Sequence, residues 1–168
     1  YHATTHLIKL GSKKIALLSM IQNLSVGKLR LDGYNKALSD ANMSIDENLI
    51  IQETSIEDFD VQLQQLISSK KMDAIFALDE HSSTMTMRMA LKQGIKIPEE
   101  LNIIGFADGV WSRRLTPSLS TVSQHAPEIG AKAAELLIHK LNSKDEFYQP
   151  QTVVIKTELR QRESTRKL

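Results

Sequence analysis

Cysteine is absent from the 168 residues. That removes disulfide frameworks, cysteine-ligated zinc, iron–sulfur clusters and thiol catalysis together, and it suits a reducing compartment. An excess of one charge is missing too: Lys+Arg of 21 against Asp+Glu of 20 leaves a formal +1. No overall field therefore draws the chain to nucleic acid or to an anionic membrane, so any DNA-reading surface is local or lies elsewhere. Apolar runs such as 15–18 and 136–138 fall far short of the ~20 residues that a membrane span needs. There is no internal repeat and no low-complexity tract. No charged segment followed by an apolar stretch and a small-residue cleavage site marks an export signal.

What is present is a chain long enough to bury roughly 70% of its unfolded surface in one domain or two small ones. It starts at Tyr1 rather than Met, and residues 1–10 already read as part of a folded element, with Leu7, Ile8 and Leu10 among polar neighbours; a fragment is the expectation. Short apolar runs alternate with stretches of helical period, the pattern of a parallel sheet covered on both faces. Strands are expected at 15–20, 49–53, 74–78, 103–106, 120–123 and 152–157. Apolar residues three and four apart predict helices through Leu31, Tyr34, Leu38 and Ala41, through Phe59, Leu63, Leu66 and Ile67, and through Ile129, Ala133, Leu136, Leu137 and Leu141. A fourth helix is expected at 82–93, with a serine cap and Gly94 as its stop. The segment 107–119 follows a strand without an obvious helix and reads as a functional loop. The polar stretch 142–151 reads as an exposed turn, and the basic end, 160–168, as a solvated tail.

Ligands of open parallel sheets bind outside the carboxyl ends of the strands, so the residues just after each strand are the candidates. They are polar: Gln22, Asn23 and Ser25 leading to Lys28 and Arg30, then Thr54 and Ser55, Asp79, Glu80 and His81, and Ala107, Asp108 and Gly109. Guanidinium, hydroxyls and carboxylates at one crevice suit a hydroxyl-rich or anionic small molecule. The same residues also have ordinary duties: Arg30 as an exposed first-turn residue, Asp79 and Asp108 as helix caps or loop closures. Enzyme chemistry is not expected. Asp79, Glu80 and His81 are adjacent and point apart, so no metal site is expected. No glycine-rich phosphate loop is present, so no nucleotide cofactor is expected. Nor is there a nucleophile elbow or a nucleophile paired with one of the five histidines. Met85 and Met89 share one helical face, expected to be core, while Met87 points elsewhere and could meet another subunit. Trp111, the only tryptophan, is either a pocket wall or an interface anchor.

Several segments carry a family resemblance. Residues 97–108, IPEELNIIGFAD, resemble the "IPEDLSIIGFDD" of LacI/GalR-type transcription regulators, and 115–122, LTPSLSTV, resemble their "LTPSLTTV". Arg30-Leu31-Asp32-Gly33-Tyr34 is similar to "RxxGY", Asp73–Ala77 to "DAIFA", residues 128–137 to "EIGxxAAELL", and 158–165 to the closing "ELxxRxST". The motifs run in family order from Leu7 to Thr165.

The resemblance implies the C-terminal part of an effector-binding core: a Rossmann-like parallel α/β sheet flanked by helices, of the periplasmic-binding-protein type I. Residues 12–119 and 149–168 would build the C-terminal subdomain, and 1–11 and 120–148 would belong to the N-terminal one, with a DNA-binding headpiece outside the chain. It implies a cytoplasmic, ligand-sensing and dimerising domain whose small-molecule effector, a sugar or sugar derivative, controls DNA affinity through hinge motion. The alternative is a periplasmic solute-binding protein of a transporter. The implied effector contacts are Arg30, Ser25, Ser55, Asp79, Ala107, Asp108 and Gln124, and the implied homodimer contacts are Ser83, Met87, Trp111, Arg114 and Leu115, with Met87 across a two-fold axis. No cofactor, metal or membrane partner is implied. Four departures, Ala107 for an acidic residue, Leu78 for a polar one, Ser55 for an aromatic ring and His125 for proline, leave two readings: a non-hexose effector, or a pocket that answers to a protein partner.

Overall fold

A computed structural model describes residues 1–106, 108–143 and 149–167. Among the described residues six strands form one sheet in the order β2-β1-β3-β4-β5-β6: β1 Ile15–Ser19, β2 Ile50–Gln52, β3 Ala74–Ala77, β4 Asn102–Gly105, β5 Ser120–Ser123 and β6 Glu158–Arg160. All neighbours pair parallel except β6, which runs antiparallel to β5. Among the described residues the helices are α1 His2–Lys9, α2 Ser25–Asp40, α3 Ile56–Ser69, α4 Glu80–Lys92, α5 Val110–Arg114 and α6 Ala126–Asn142, with a 3₁₀ turn at Glu47–Leu49.

The central strands β1, β3, β4 and β5 are buried at every position. Their alternate side chains therefore feed two cores. Ala16, Leu18, Ile75, Ala77 and Ile103 pack under α3 and α4 with Phe59, Leu63, Ile67, Met87 and Ala90. On the other face Ile15, Leu17, Ala74, Phe76 and Ile104 pack under α1 and α2 with Ala3, Leu7, Tyr34 and Leu38. Each of these fully buried large side chains contributes about 1.5–3 kcal/mol. The Tyr34 hydroxyl donates to the Ile15 carbonyl at 2.7 Å, and burial, with the nearby charges of Asp46 and Glu47 adding to it, pushes its pKa up to about 12.

Five strands and four helices lie where the sequence puts them, with ends shifted by a few residues. The sixth strand does not. Residues 152–157 form no strand, and the chain pairs in the three residues that follow, Glu158–Arg160. The cap of α4 is Asp79, not a serine: its carboxylate accepts from Ser82 N while the Ser82 hydroxyl accepts from Asp79 N. Segment 107–119 holds the short helix α5. The stretch 142–151 lies partly outside the described residues.

The expected solvated tail is instead built into the sheet. Ser164 continues the edge of β4, accepting from Ile103 N at 2.8 Å and donating its hydroxyl to the Ile103 carbonyl at 2.6 Å. Ser120 of β5 donates its N–H to the Ser164 hydroxyl and shares a hydrogen bond between its own hydroxyl and that of Thr165, each at 2.8 Å. A strand reading Ser-Thr-Val-Ser can be buried because those polar partners arrive from the chain's far end. The segments tied by resemblance to a second subdomain behave differently from one another. Helix α1 packs on α2 and buries Leu7, and β5 pairs with β4, whereas α6 buries no residue and leaves Ile129, Leu137, Ile138 and Leu141 exposed.

Candidate functional site

The parallel strands end on one edge of the sheet, and Arg30 reaches across it from the second turn of α2. Its Nη1 donates to the Leu78 carbonyl after β3 at 2.5 Å, and its Nη2 to Gln124 Oε1 after β5 at 3.2 Å. The guanidinium carbon lies 3.5 Å from the centroid of the Phe106 ring, after β4, close enough for cation–π attraction. One side chain thus bridges three strand ends. Helix α2 can start this close to the sheet because residue 27 is glycine: a Cβ there would stand 2.0 Å from the Ile21 carbonyl oxygen. Burial pushes the Arg30 pKa down, and the neighbouring Asp79 charge opposes that shift; the group is a cation at any physiological pH.

Asp79 and Asp108 are both at this edge and both are engaged. One Asp79 oxygen caps α4 by accepting from Ser82 N at 2.8 Å, and the other accepts from Met20 N at 2.9 Å, which ties the end of β1 to the start of α4. Asp108 is 8% exposed at its side chain and pairs with Arg162 at 2.6 Å and with Arg160. It also accepts from the Thr121 hydroxyl at 3.1 Å. Burial favours its neutral form, but the hydrogen bonds from Arg162 and Thr121 and the charges of Arg162 and Arg160 outweigh that and hold its pKa below the ordinary carboxyl value.

Joined to the Arg30 bridge through Gln124 is a cavity of 520 Å³ whose lining includes Asp108, Arg113, Gln124, His125 and Arg160. Gln124 therefore belongs to both the Arg30 bridge and the cavity. Of the expected effector residues, Arg30, Asp79, Asp108 and Gln124 gather at this edge. Ser55 is used as the cap of α3, accepting from Asp58 N at 3.2 Å. Ser25 is exposed on the first turn of α2, and Ala107 lies outside the described residues.

The sequence reading missed Phe106, although an aromatic ring directly at a strand end is a readable signal. It also missed Arg160 and Arg162 as partners of Asp108, although the "ELxxRxST" resemblance places an arginine at 162. Asp79, Glu80 and His81 do diverge: Asp79 caps, Glu80 accepts from Trp111 Nε1 at 2.5 Å, and His81 sits edge-on to Phe59. Among the described residues no group of three His, Asp or Glu side chains could hold a metal ion.

The interface residues separate into two sets. Met87 is 1% exposed and Ser83 0%, both inside the chain's own fold. The expectation that Met87 meets a second subunit is therefore corrected. The helical phase of α4 turns Ser83, Thr86, Met87 and Ala90 inward and leaves Met85 and Met89 partly buried at the flank. Trp111 and Leu115 are partly buried against the same core, and Arg114 is exposed.

A family model described as a periplasmic binding protein-like domain matches residues 4–165. The chain belongs to that family. Its curated relatives within this periplasmic-binding-protein-like family include the ribose operon repressor of Haemophilus influenzae, 32% identical over 153 residues, 89% of this chain and 46% of the relative. Another is the HTH-type transcriptional regulator DegA of Bacillus subtilis, 34% identical over 133 residues, 79% of this chain and 40% of the relative. Among solved structures, the transcription regulator CcpA of Lactococcus lactis superposes with a TM-score of 0.85 at 28% identity, covering 99% of this chain and 60% of that one. A CelR–cellobiose complex gives 0.84 at 28% identity, covering 96% and 49%. The LacI/GalR resemblance and the α/β fold class are borne out. The chain spans about half the length of the curated relatives it matches.

Proposed function

We propose that the chain is the effector-sensing and dimerising part of a cytoplasmic DNA-binding transcription regulator. The observation that carries this is Arg30 bridging the ends of β3, β4 and β5 and joined through Gln124 to a 520 Å³ cavity. The matching relatives named above are repressors and regulators of transcription, which favours this reading over a transporter's solute-binding protein. Among the described residues no helix is long and apolar enough to cross a membrane. The effector is a small molecule, and no covalent step on it is needed: it must favour one of two subdomain arrangements to move the DNA-reading parts.

The other half of the crevice would come from a second subdomain. Helix α6, which buries no residue and carries Ile129, Leu137, Ile138 and Leu141 on its surface, would then belong with that subdomain. The homodimer surface would use Trp111, Arg114 and Leu115. Sedimentation velocity is expected to give a dimer that the Arg114→Glu variant weakens; a monomer at all concentrations would remove this part of the reading. Ligand binding is tested by the melting temperature of the chain against a library of small metabolites. A stabilising hit should raise it, and Arg30→Ala should abolish the rise; a rise unchanged in the variant would place the ligand elsewhere.

A further inference from the structure

We propose that the crevice takes an effector bearing an oxyanion group, a phosphate ester or a carboxylate, with Arg30 as the clamp. This rests on the effector-sensing reading. It starts from a count of free acceptors. A neutral polyol donates hydroxyl protons and is held by carboxylates that accept them, yet the two carboxylates at the strand ends beside Arg30, Asp79 and Asp108, are engaged. Asp79 accepts from Ser82 N and Met20 N. Asp108 accepts from Thr121 and is paired with Arg160 and Arg162. Residue 107, the neighbour of Asp108, is alanine and has no acceptor on its side chain.

The donors are in the opposite condition. Arg30 is half-buried, and among the described residues it makes no ion pair: its hydrogen bonds go to the uncharged oxygens of Leu78 and Gln124. Arg113, on the cavity wall, also makes none among the described residues. Glu80 on the same wall accepts from Trp111, and Glu128 stands exposed on α6. The Asp79 charge acts on Arg30 without a hydrogen bond to it, and a partly desolvated guanidinium whose own hydrogen bonds go to neutral acceptors gains most from an anion, because two parallel N–H···O⁻ bonds match its fork. Gln124 lines the cavity and also occupies Nη2, so its amide is the group that an entering oxyanion displaces.

The test is calorimetry on the full-length gene product with four probes: glucose 6-phosphate, gluconate, glucose and inorganic phosphate. At least one of the two sugar anions is expected to bind about tenfold or more tighter than glucose, with affinity falling as salt rises. Which one does so separates a phosphate ester from a carboxylate. Inorganic phosphate binding as tightly as glucose 6-phosphate also supports the assignment and reduces the ligand to the group itself. The variant Gln124→Glu sets a competing carboxylate against Arg30 and is expected to weaken the anion about 10- to 100-fold, with the melting temperature showing that it stays folded. Glucose binding as tightly as either anion, or anion binding indifferent to Gln124→Glu, would overturn the assignment and leave the sensing reading standing. No binding by any of the four also overturns it. If, in addition, no library compound raises the melting temperature through Arg30, the sensing reading falls with it.

Discussion

Asp108 and Arg30 stand at the same sheet edge with opposite balances: one carboxylate has two guanidinium partners, the other guanidinium has no ion pair among the described residues. For Asp108 the consequence is acid sensitivity. Its folded pKa lies below the ordinary value, so its contribution is complete above the unfolded pKa of about 3.9 and is lost as pH falls through the folded value. Asp108→Asn should lower stability at neutral pH by about 3 kcal/mol, since it leaves Arg162, 13% exposed at its side chain, without its counter-charge. The same variant should show a shallower loss below pH ~4; urea midpoints measured across that range check both. Arg30 was legible as a candidate because strand-end position and the family motif agree on it. Asp79 was legible only as an alternative, since a carboxylate after a strand can cap a helix or meet a ligand, and here it caps.

Elements were read correctly where one local signal dominates. The central strands announce themselves by continuous apolar runs, because both of their faces are buried. The sixth strand misled, because Thr152-Val153-Val154-Ile155 has strong β propensity but no strand partner, and Val154 is 81% exposed. Glu158–Arg160, bracketed by charges, pairs with β5, with Leu159 packed against the core. Propensity yielded to pairing. The phase of α4 misled for a related reason: Ser83 and Thr86 are buried with their hydroxyls turned to the carbonyls of Asp79 and Ser82, so polar residues mark the inner face together with Met87, and Met85 and Met89 lie at its flank. Helix α2 carries Arg30 to the crevice only while its first turn sits on Ile21. Gly27→Ala forces a Cβ into that backbone carbonyl and should cost about 1–3 kcal/mol. It should also weaken ligand binding by displacing Arg30, which a urea titration and a calorimetric titration on the same variant would separate.

Across the whole molecule the two faces of the sheet are finished and one helix is not. Helix α6 has the apolar period of a packed helix and buries nothing, whereas every other helix of eight residues or more contributes to one of the two cores. The apolar period was legible in the sequence; what covers it was not, because period reports that a face needs a partner without saying which. The crevice has the same character, with its floor built by the strand ends and Arg30. A sensing domain of the kind proposed works by differential affinity, and couplings between ligand and DNA sites typically amount to 5- to 150-fold. The most direct measurement is operator affinity of the full-length gene product with and without its effector, for the native sequence and for Arg30→Ala. A shift in affinity of at least about fivefold in the native protein, lost in Arg30→Ala, is expected. A ligand response that survives Arg30→Ala, or a full-length product that binds no DNA, would contradict the reading.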